Sequence, residues 1–540
     1  MRLGQAPHFT PMTIGLLECN MNSQHNGLSL IKALSKAKAY QHEVSSISVI
    51  ETHISWILLT GSYAYKLKKP LNFGFLDFST LEQRRYFCYE ELRLNKRLAA
   101  DLYVAVVPIT GTLDDAKMQG TGEILDYAVK MHQFPAGQTL SELAASKRLS
   151  PDEIDQLSEI LAKFHQNIAV ANLATPYGCS DDINYWFKEN FAPINDLLTD
   201  PKLQQQLQAL ENWGQQEWRT KADIMTQRKQ QGYIRECHGD LHLSNMTLIN
   251  GQVTLFDCLE FNPLLRWIDV ISEIAFVLID LLHVHKKPLA FRLLNRYLQL
   301  TGDYQGVSLL RYYLVYRAII SAKVALLRQS QQNTDNKPLA PCLKYQDFIE
   351  LAEHYTRPTP VKLIISHGYS GSGKSTLMAE LAASLGAIHL RGDIERKRLH
   401  DYLPEQSSSS SLNQGLYTPE ANQKTYDYLA DCAKDILKAG FSVIVDATFL
   451  ELKQRQLFKK LASECNCDFI IIDVQASYKT LCERIKLRQG DASEATLEVL
   501  DYQRQWAQAL TTNELDFVIA VNSEADKVLE TLLANISSSM

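Results

Sequence analysis

The chain has 540 residues, more than a single hydrophobic core accommodates. Hydrophobic residues make up 46% and charged residues 21%, the balance of a globular protein, and the formal net charge of -6 excludes a global basic field that would recruit nucleic acid. Ten cysteines include no C-x-x-C pair, and Cys465-x-Cys467 has no histidine partners nearby, so reduced thiols in a cytoplasmic protein are expected, not a disulfide framework or a zinc site.

Residues 1–26 lack a basic segment followed by a long apolar run and a small-residue cleavage site. They read as an N-terminal tail without order of its own, not as a secretory signal. No apolar run reaches membrane-spanning length, so no membrane partner is expected. Strands are predicted over 47–50, 54–59 and 64–67, with Gly61 turning the chain between the last two. A helix follows over 81–99, then strands over 104–107 and 128–131. Ser150-Pro-Asp-Glu153 has the form of a capping box, and Ile154, Leu157, Ile160, Leu161, Phe164 and Ile168 fall on one helical face. From Asp269 to about Leu327 nearly everything reads as helix. A small β-rich lobe followed by a large helical lobe is implied.

Cys237-His238-Gly239-Asp240-Leu241-His242-Leu243-Ser244-Asn245 contains H-x-D-x-x-x-x-N. Asp257 comes twelve positions after Asn245, and the turn dipeptide Asn250-Gly251 between them predicts a hairpin returning Asp257 beside Asn245. Phosphoryl transfer needs such a set. Asp240 aligns and deprotonates an acceptor hydroxyl, while Asn245 and Asp257 hold magnesium against the triphosphate of ATP. His238 braces the loop, and His165 reads as a packed histidine on its helix. Lys66 is read as the lysine that grips the α- and β-phosphates, with Lys68 on the same strand face as the alternative. Glu91 is its expected partner, with Glu90 as the alternative. Val129 to Phe134, followed by Gly137 and Leu140, reads as the hinge against the adenine edge.

These features resemble the aminoglycoside phosphotransferase and choline kinase superfamily over about residues 40–330. The glycine-rich phosphate loop of protein kinases is absent, since Gly61 stands nearly alone. The resemblance implies an α+β two-lobed kinase-like fold acting on small molecules. It does not name an antibiotic as substrate.

Arg357-Pro358-Thr359-Pro360 reads as a linker, and the apolar run after it as the first strand of a new domain. The expected boundaries are therefore a tail over 1–26, a kinase-like domain over 27–355 and a P-loop kinase-like ATP-binding domain over 356–540. Strands predicted over 361–366, 387–390, 441–445 and 469–474 alternate with helical stretches, the pattern of an α/β domain with a parallel sheet flanked by helices. The serine run 407–411 reads as a loop.

Gly368-Tyr-Ser370-Gly371-Ser372-Gly373-Lys374-Ser375 satisfies G-x-x-x-x-G-K-[ST], and Thr376 follows inside the next helix. Glycines let backbone N–H groups converge on phosphate oxygens, and the helix N-terminus adds its dipole. Lys374 should reach the β- and γ-phosphates, and Ser375 should ligate magnesium. Asp446 ends a buried strand as a metal-organising carboxylate. Asp393 is read as acceptor base, with a helix N-cap as the structural alternative. Arg396, three residues on, would hold a polar or anionic acceptor. Arg484 and Arg488 are one helical turn apart and placed for a lid over the transferring phosphate, or else on a solvated helix face.

Residues 361–530 resemble the P-loop kinases related to phage polynucleotide kinase and zeta toxin, through the phosphate loop, Asp393 with Arg396, the V-I-V-D-A-T-F run and the two arginines. The order of the two halves resembles a bacterial family described as bifunctional aminoglycoside phosphotransferase and ATP-binding protein. The runs Phe73-Gly-Phe-Leu-Asp77 and Leu255 to Asn262, which includes Glu260, carry that resemblance. The leading expectation is an enzyme with two ATP- and Mg2+-dependent sites, each phosphorylating a hydroxyl of a small molecule. The alternatives are a nucleotide-dependent regulatory protein with one inactive domain, or a nucleic-acid 5′-end kinase in the rear half. The acidic balance and the lack of a basic, aromatic-interleaved stretch count against nucleic acid.

Overall fold

A computed structural model describes residues 21–74, 76–332, 341–403, 406, 416, 418–487 and 492–538. The N-terminal tail, the serine run and Arg488 lie outside the described residues or largely so. The chain forms two compact units. One comprises residues 1–138 with 254–265, the other residues 139–253 with 266–540.

The first unit is built on six antiparallel strands: β1 (Ser48–Glu51), β2 (Ser55–Leu59), β3 (Tyr63–Lys68), β4 (Tyr103–Thr112), β5 (Asp115–Met118) and β6 (Ile124–His132), in the order β1-β2-β3-β6-β4-β5. β5 was not foreseen, because Asp115-Ala-Lys-Met118 is too short and polar to read as a strand. The helix Leu81–Asn95 packs on β6 and β4. It starts at a capping box formed by Thr80 and Gln83, and it ends four residues before the expected Ala99. Trp56, Leu58, Tyr65, Leu67, Val107 and Ile109 build the core on one face of the sheet.

In the second unit, β7 (Ile234–Glu236) leads into the loop of Asp240, and the hairpin β8 (Met246–Ile249) with β9 (Gln252–Leu255) carries the chain back into the first unit. Asn250 and Gly251 both have positive φ, 51° and 76°, as a tight two-residue hairpin turn requires. β10 (Trp267–Asp269) pairs with β7 and leads into the helix Val270–His283. The helices Lys287–Thr301 and Val307–Gln332 complete the helical lobe. Arg228, fully buried, bonds Asp269 at 2.7 and 2.8 Å and Asp303 at 2.6 and 2.7 Å, tying three segments of this lobe together.

The rear part of the second unit is a parallel sheet of β11 (Lys362–His367), β12 (Ile388–Arg391), β13 (Val443–Asp446), β14 (Asp468–Gln475) and β15 (Val518–Asn522), in the order β12-β13-β11-β14-β15. The inner strands are almost wholly buried, as their continuous apolar runs require. The phosphate loop follows the central strand, and β13 on one side ends on Asp446. Carboxyl ends of parallel strands therefore meet where the sequence puts its charged residues. Among the described residues no helix is long and apolar enough to cross a membrane.

Candidate active sites

In the first unit, Lys66 and Lys68 point to the same face of β3 and are both buried. Glu91, fully buried on the helix Leu81–Asn95, lies 2.9 Å from Lys66 Nζ and accepts from Lys68 Nζ at 2.7 Å. Lys66 also pairs with Asp257, and Lys68 with Glu260. The two lysines are therefore not alternatives but members of one cluster with three carboxylates. Glu90 is instead paired with Arg93 on the surface of the helix.

Burial would push the Glu91 carboxyl up, but Lys66 and Lys68 reverse this and hold it at about 2. Burial also disfavours the charged form of Lys66, yet Asp257, Glu91 and Glu260 raise it well above the ordinary lysine value. Asp257 adopts φ 65°, a left-handed conformation that aspartate tolerates, and its backbone N–H donates to the Tyr103 hydroxyl at 3.1 Å. Asn95 accepts from the N–H of Cys258 at 2.9 Å. Tyr103 and Asn95 were missed because neither belongs to a motif. Glu260, at the family-like run, is 4% exposed and serves as the counter-ion of Lys68.

In the second unit, the loop of Asp240 is held by two acids from one helix. Gly239 N–H donates to Glu273 at 2.7 Å, and Leu243 N–H donates to Asp280 at 2.7 Å. Glu273 and Asp280 are two turns apart on the apolar helix Val270–His283, so both face the loop. Two acids in so apolar a helix were a legible signal that the sequence reading passed over. His165, 2% exposed, bridges Glu273 at 2.8 Å and the Tyr297 hydroxyl at 2.9 Å. Burial would raise Glu273, but the bonds from His165 and Gly239 hold it at about 2.

Asp240 is likewise held at about 2 against burial, chiefly by His242, whose Nε2 stands 3.5 Å away. The Asn245 amide nitrogen donates to the Asp240 carbonyl at 2.9 Å and to its carboxylate at 3.1 Å. His238 is fully buried under the loop. Asn245 belongs to the second unit and Asp257 to the first.

The rear cleft is lined by Lys374, Ser375, Asp393, Arg396, Asp446 and Trp506, among others. Ser370, Gly371, Gly373 and Thr376 also line it, and Gly368 and Ser372 complete the loop. The loop's geometry demands glycine at two points. At Gly368 (φ 137°) a Cβ would stand 2.5 Å from the Val474 carbonyl oxygen, and at Gly371 (φ 83°) 2.8 Å from that of Leu481. Lys374 Nζ donates to the Tyr369 carbonyl at 2.7 Å. Gln503 clamps Ser370, accepting from its N–H and donating to its hydroxyl, both at 3.0 Å.

Asp446 is 5% exposed and lies 3.2 Å from the Ser366 hydroxyl. Burial would raise its carboxyl, but His389, Arg391 and the Ser375 hydroxyl hold it at about 2. The pair of an ionised carboxylate and a hydroxyl at the start of the helix Lys374–Leu385 offers the hard oxygen donors that Mg2+ takes. The helix Gly392–Arg398 has Arg391 at its N-cap position, so Asp393 is not the cap. Arg396 Nη1 lies 3.4 Å from the Asp393 carboxylate. Arg484 lies against the phosphate loop. Its guanidinium donates to the Ser372 carbonyl at 3.1 Å and to the Ser523 hydroxyl at 2.9 Å, bracing the phosphate loop from behind.

Two family models match, one over the front and one over the rear of the chain. Residues 82–309 match the phosphotransferase enzyme family. Residues 363–510, which include the phosphate loop, match the AAA domain family. A phosphotransferase-family match thus precedes an AAA-domain match along the chain. An uncharacterized protein of Mycobacterium tuberculosis is 29% identical over 471 residues, which cover 87% of this chain and 91% of that protein. This relative therefore shares the two-part order. Among solved structures, a Plasmodium vivax ethanolamine kinase has 12% identity and a TM-score of 0.36, covering 64% of this chain and 96% of its own. A Janibacter sugar kinase has 19% identity and a TM-score of 0.27, covering 33% and 95%. The front match supports a phosphotransferase, and the rear match covers the phosphate loop.

Proposed function

We propose that each half transfers the γ-phosphate of ATP to a hydroxyl of a small-molecule acceptor. The observation that carries this for the rear half is the meeting of Lys374, Ser375, Asp446 and Asp393 in one cleft. A nucleotide switch needs the first three. It has no use for a carboxylate at the end of the neighbouring strand, beside an arginine.

In the rear half, Lys374 leaves the Tyr369 carbonyl to meet the β- and γ-phosphates, and loop N–H groups take the remaining oxygens. Asp393 accepts the acceptor's hydroxyl proton as the oxygen attacks phosphorus and ADP leaves. Arg396 holds the acceptor. In the front half, Asp240 accepts the proton, and Lys66, fixed by Glu91, pairs with the nucleotide phosphates. Magnesium, when bound, neutralises charge on the phosphate oxygens. Ser375 and Asp446 would hold it behind.

Asp393→Asn tests the assignment. ATP affinity measured by calorimetry should stay within about twofold while transfer falls about 10²–10⁴-fold, the usual contribution of a general base. Transfer at the wild-type rate with normal ATP binding would refute Asp393 as the base.

A further inference from the structure

β12 is the edge strand of the rear sheet, and edge strands present unpaired backbone groups. Here the helix Lys287–Thr301 of the helical lobe covers that edge. Asn295 Nδ2 donates to the Ala387 carbonyl at 3.0 Å, and Asn295 Oδ1 accepts from the His389 N–H at 2.9 Å. One side-chain amide thus takes the place of a neighbouring strand. Gln299, one turn later on the same face, donates to His389 Nδ1 at 3.3 Å. A donor at Nδ1 leaves the imidazole proton on Nε2. That nitrogen points inward, 3.6 Å from the Asp446 carboxylate. His389 and Gln299 are 1% and 6% exposed.

The acceptor side of the cleft leans on the same helix. Arg398, on the helix that carries Asp393 and Arg396, bonds both Glu395 and the Gln299 carbonyl. Gly302, in the left-handed conformation at the end of the helix Lys287–Thr301, leaves room for it. A Cβ there would stand 2.7 Å from Arg398 Nε.

We propose that Asn295, Gln299 and His389 are positioning residues of the rear site, so that the helical lobe of the front half completes the magnesium carboxylate of the P-loop. Gln299 fixes the ring of His389, and His389 fixes Asp446. Asn295 fixes the strand that carries both His389 and, three residues on, the helix of Asp393. The rear half is therefore not a self-sufficient module. This rests on the reading of Asp446 as a magnesium ligand, but not on the acceptor or on Asp393 as base.

The test is Mg2+-dependent binding of fluorescent ATP to the full chain, in an Asp257→Ala background that disables the front site. His389→Leu should raise the Mg2+ midpoint about tenfold, as loss of a group that orients a metal ligand does, while metal-free ATP binding stays within about twofold. His389→Gln, which keeps a donor toward Asp446, should recover most of the loss. Gln299→Met should shift the midpoint in the same direction by a smaller factor and speed amide exchange over residues 388–391. A wild-type Mg2+ midpoint in His389→Leu overturns the proposal. If His389→Leu does not fold, Gln299→Met decides alone, and an unchanged midpoint there overturns it equally. Absence of any phosphate transfer would defeat the functional reading above and leave these binding outcomes intact.

Discussion

The two proposed phosphate-handling centres hold charge by opposite means. The front centre uses side chains, with two buried lysines compensated by Glu91, Asp257 and Glu260. The rear centre uses backbone, in a loop whose glycines let N–H groups converge and whose single lysine rests on a carbonyl until phosphate arrives. Buried charges depend on one another, so removing one leaves another uncompensated. A glycine loop depends on conformation, so it fails through Cβ atoms rather than through charge. The front centre is therefore bound to the stability of its lobe, while the rear loop can lose nucleotide binding without unfolding.

The largest expected effect separates them on this ground. Glu91→Ala removes the carboxylate that Lys66 and Lys68 share, leaving two buried lysines to Asp257 and Glu260 alone, and should destabilise the protein by about 3–5 kcal/mol in denaturant unfolding. Lys374→Ala removes a bond to a carbonyl, and Asp473 nearby keeps His367 and Gln475, so it should change stability by less than about 1 kcal/mol. Equal destabilisation by the two would erase the contrast.

A smaller effect is expected from Gly371→Ala. The positive φ and the 2.8 Å approach to the Leu481 carbonyl should cost about 1–3 kcal/mol of local strain. It should weaken ATP binding at the rear site about tenfold and leave front-site turnover within about twofold. Calorimetry with each site disabled in turn would check both numbers.

The smallest is a pH effect on the brace beneath the front loop. Glu273 is held at about 2, below its ordinary 4.5, so its folded form binds fewer protons than its unfolded form. Its contribution is then fully present above about pH 4.5 and is lost as pH falls toward 2. Glu273→Gln should lower stability by about 1–3 kcal/mol at pH 7. The gap to wild type should narrow progressively below pH 4.5 in urea titrations. A gap constant down to pH 3 would contradict the ionised brace.

Much of both sites was legible in residue order. The phosphate loop, the Asp240 loop and the order of lobes rest on local spacing, and local spacing is what sequence displays. Glu91 over Glu90 was legible too, because only one of two neighbouring helix positions faces β3. The partnership of Lys66 with Lys68 was not, since it depends on Glu260, 192 residues away in sequence from Lys68. Arg484 looked like a lid residue because helical spacing gives a face but not a target, and its target is the loop's own backbone. His389 was hidden for a further reason. It reads as one more position in an apolar strand, and its meaning comes from Asn295 and Gln299 on a helix that the sequence assigns to another domain.

The central claim is that the chain holds two phosphotransfer centres. Transfer from γ-labelled ATP into a metabolite extract tests it most directly, with wild type, Asp257→Ala, Lys374→Ala and the double variant assayed side by side. The account predicts that each single variant loses a different subset of labelled products, and that the double variant loses all of them. Labelling by the double variant at the wild-type level would contradict it, as would a single substitution that removes every product.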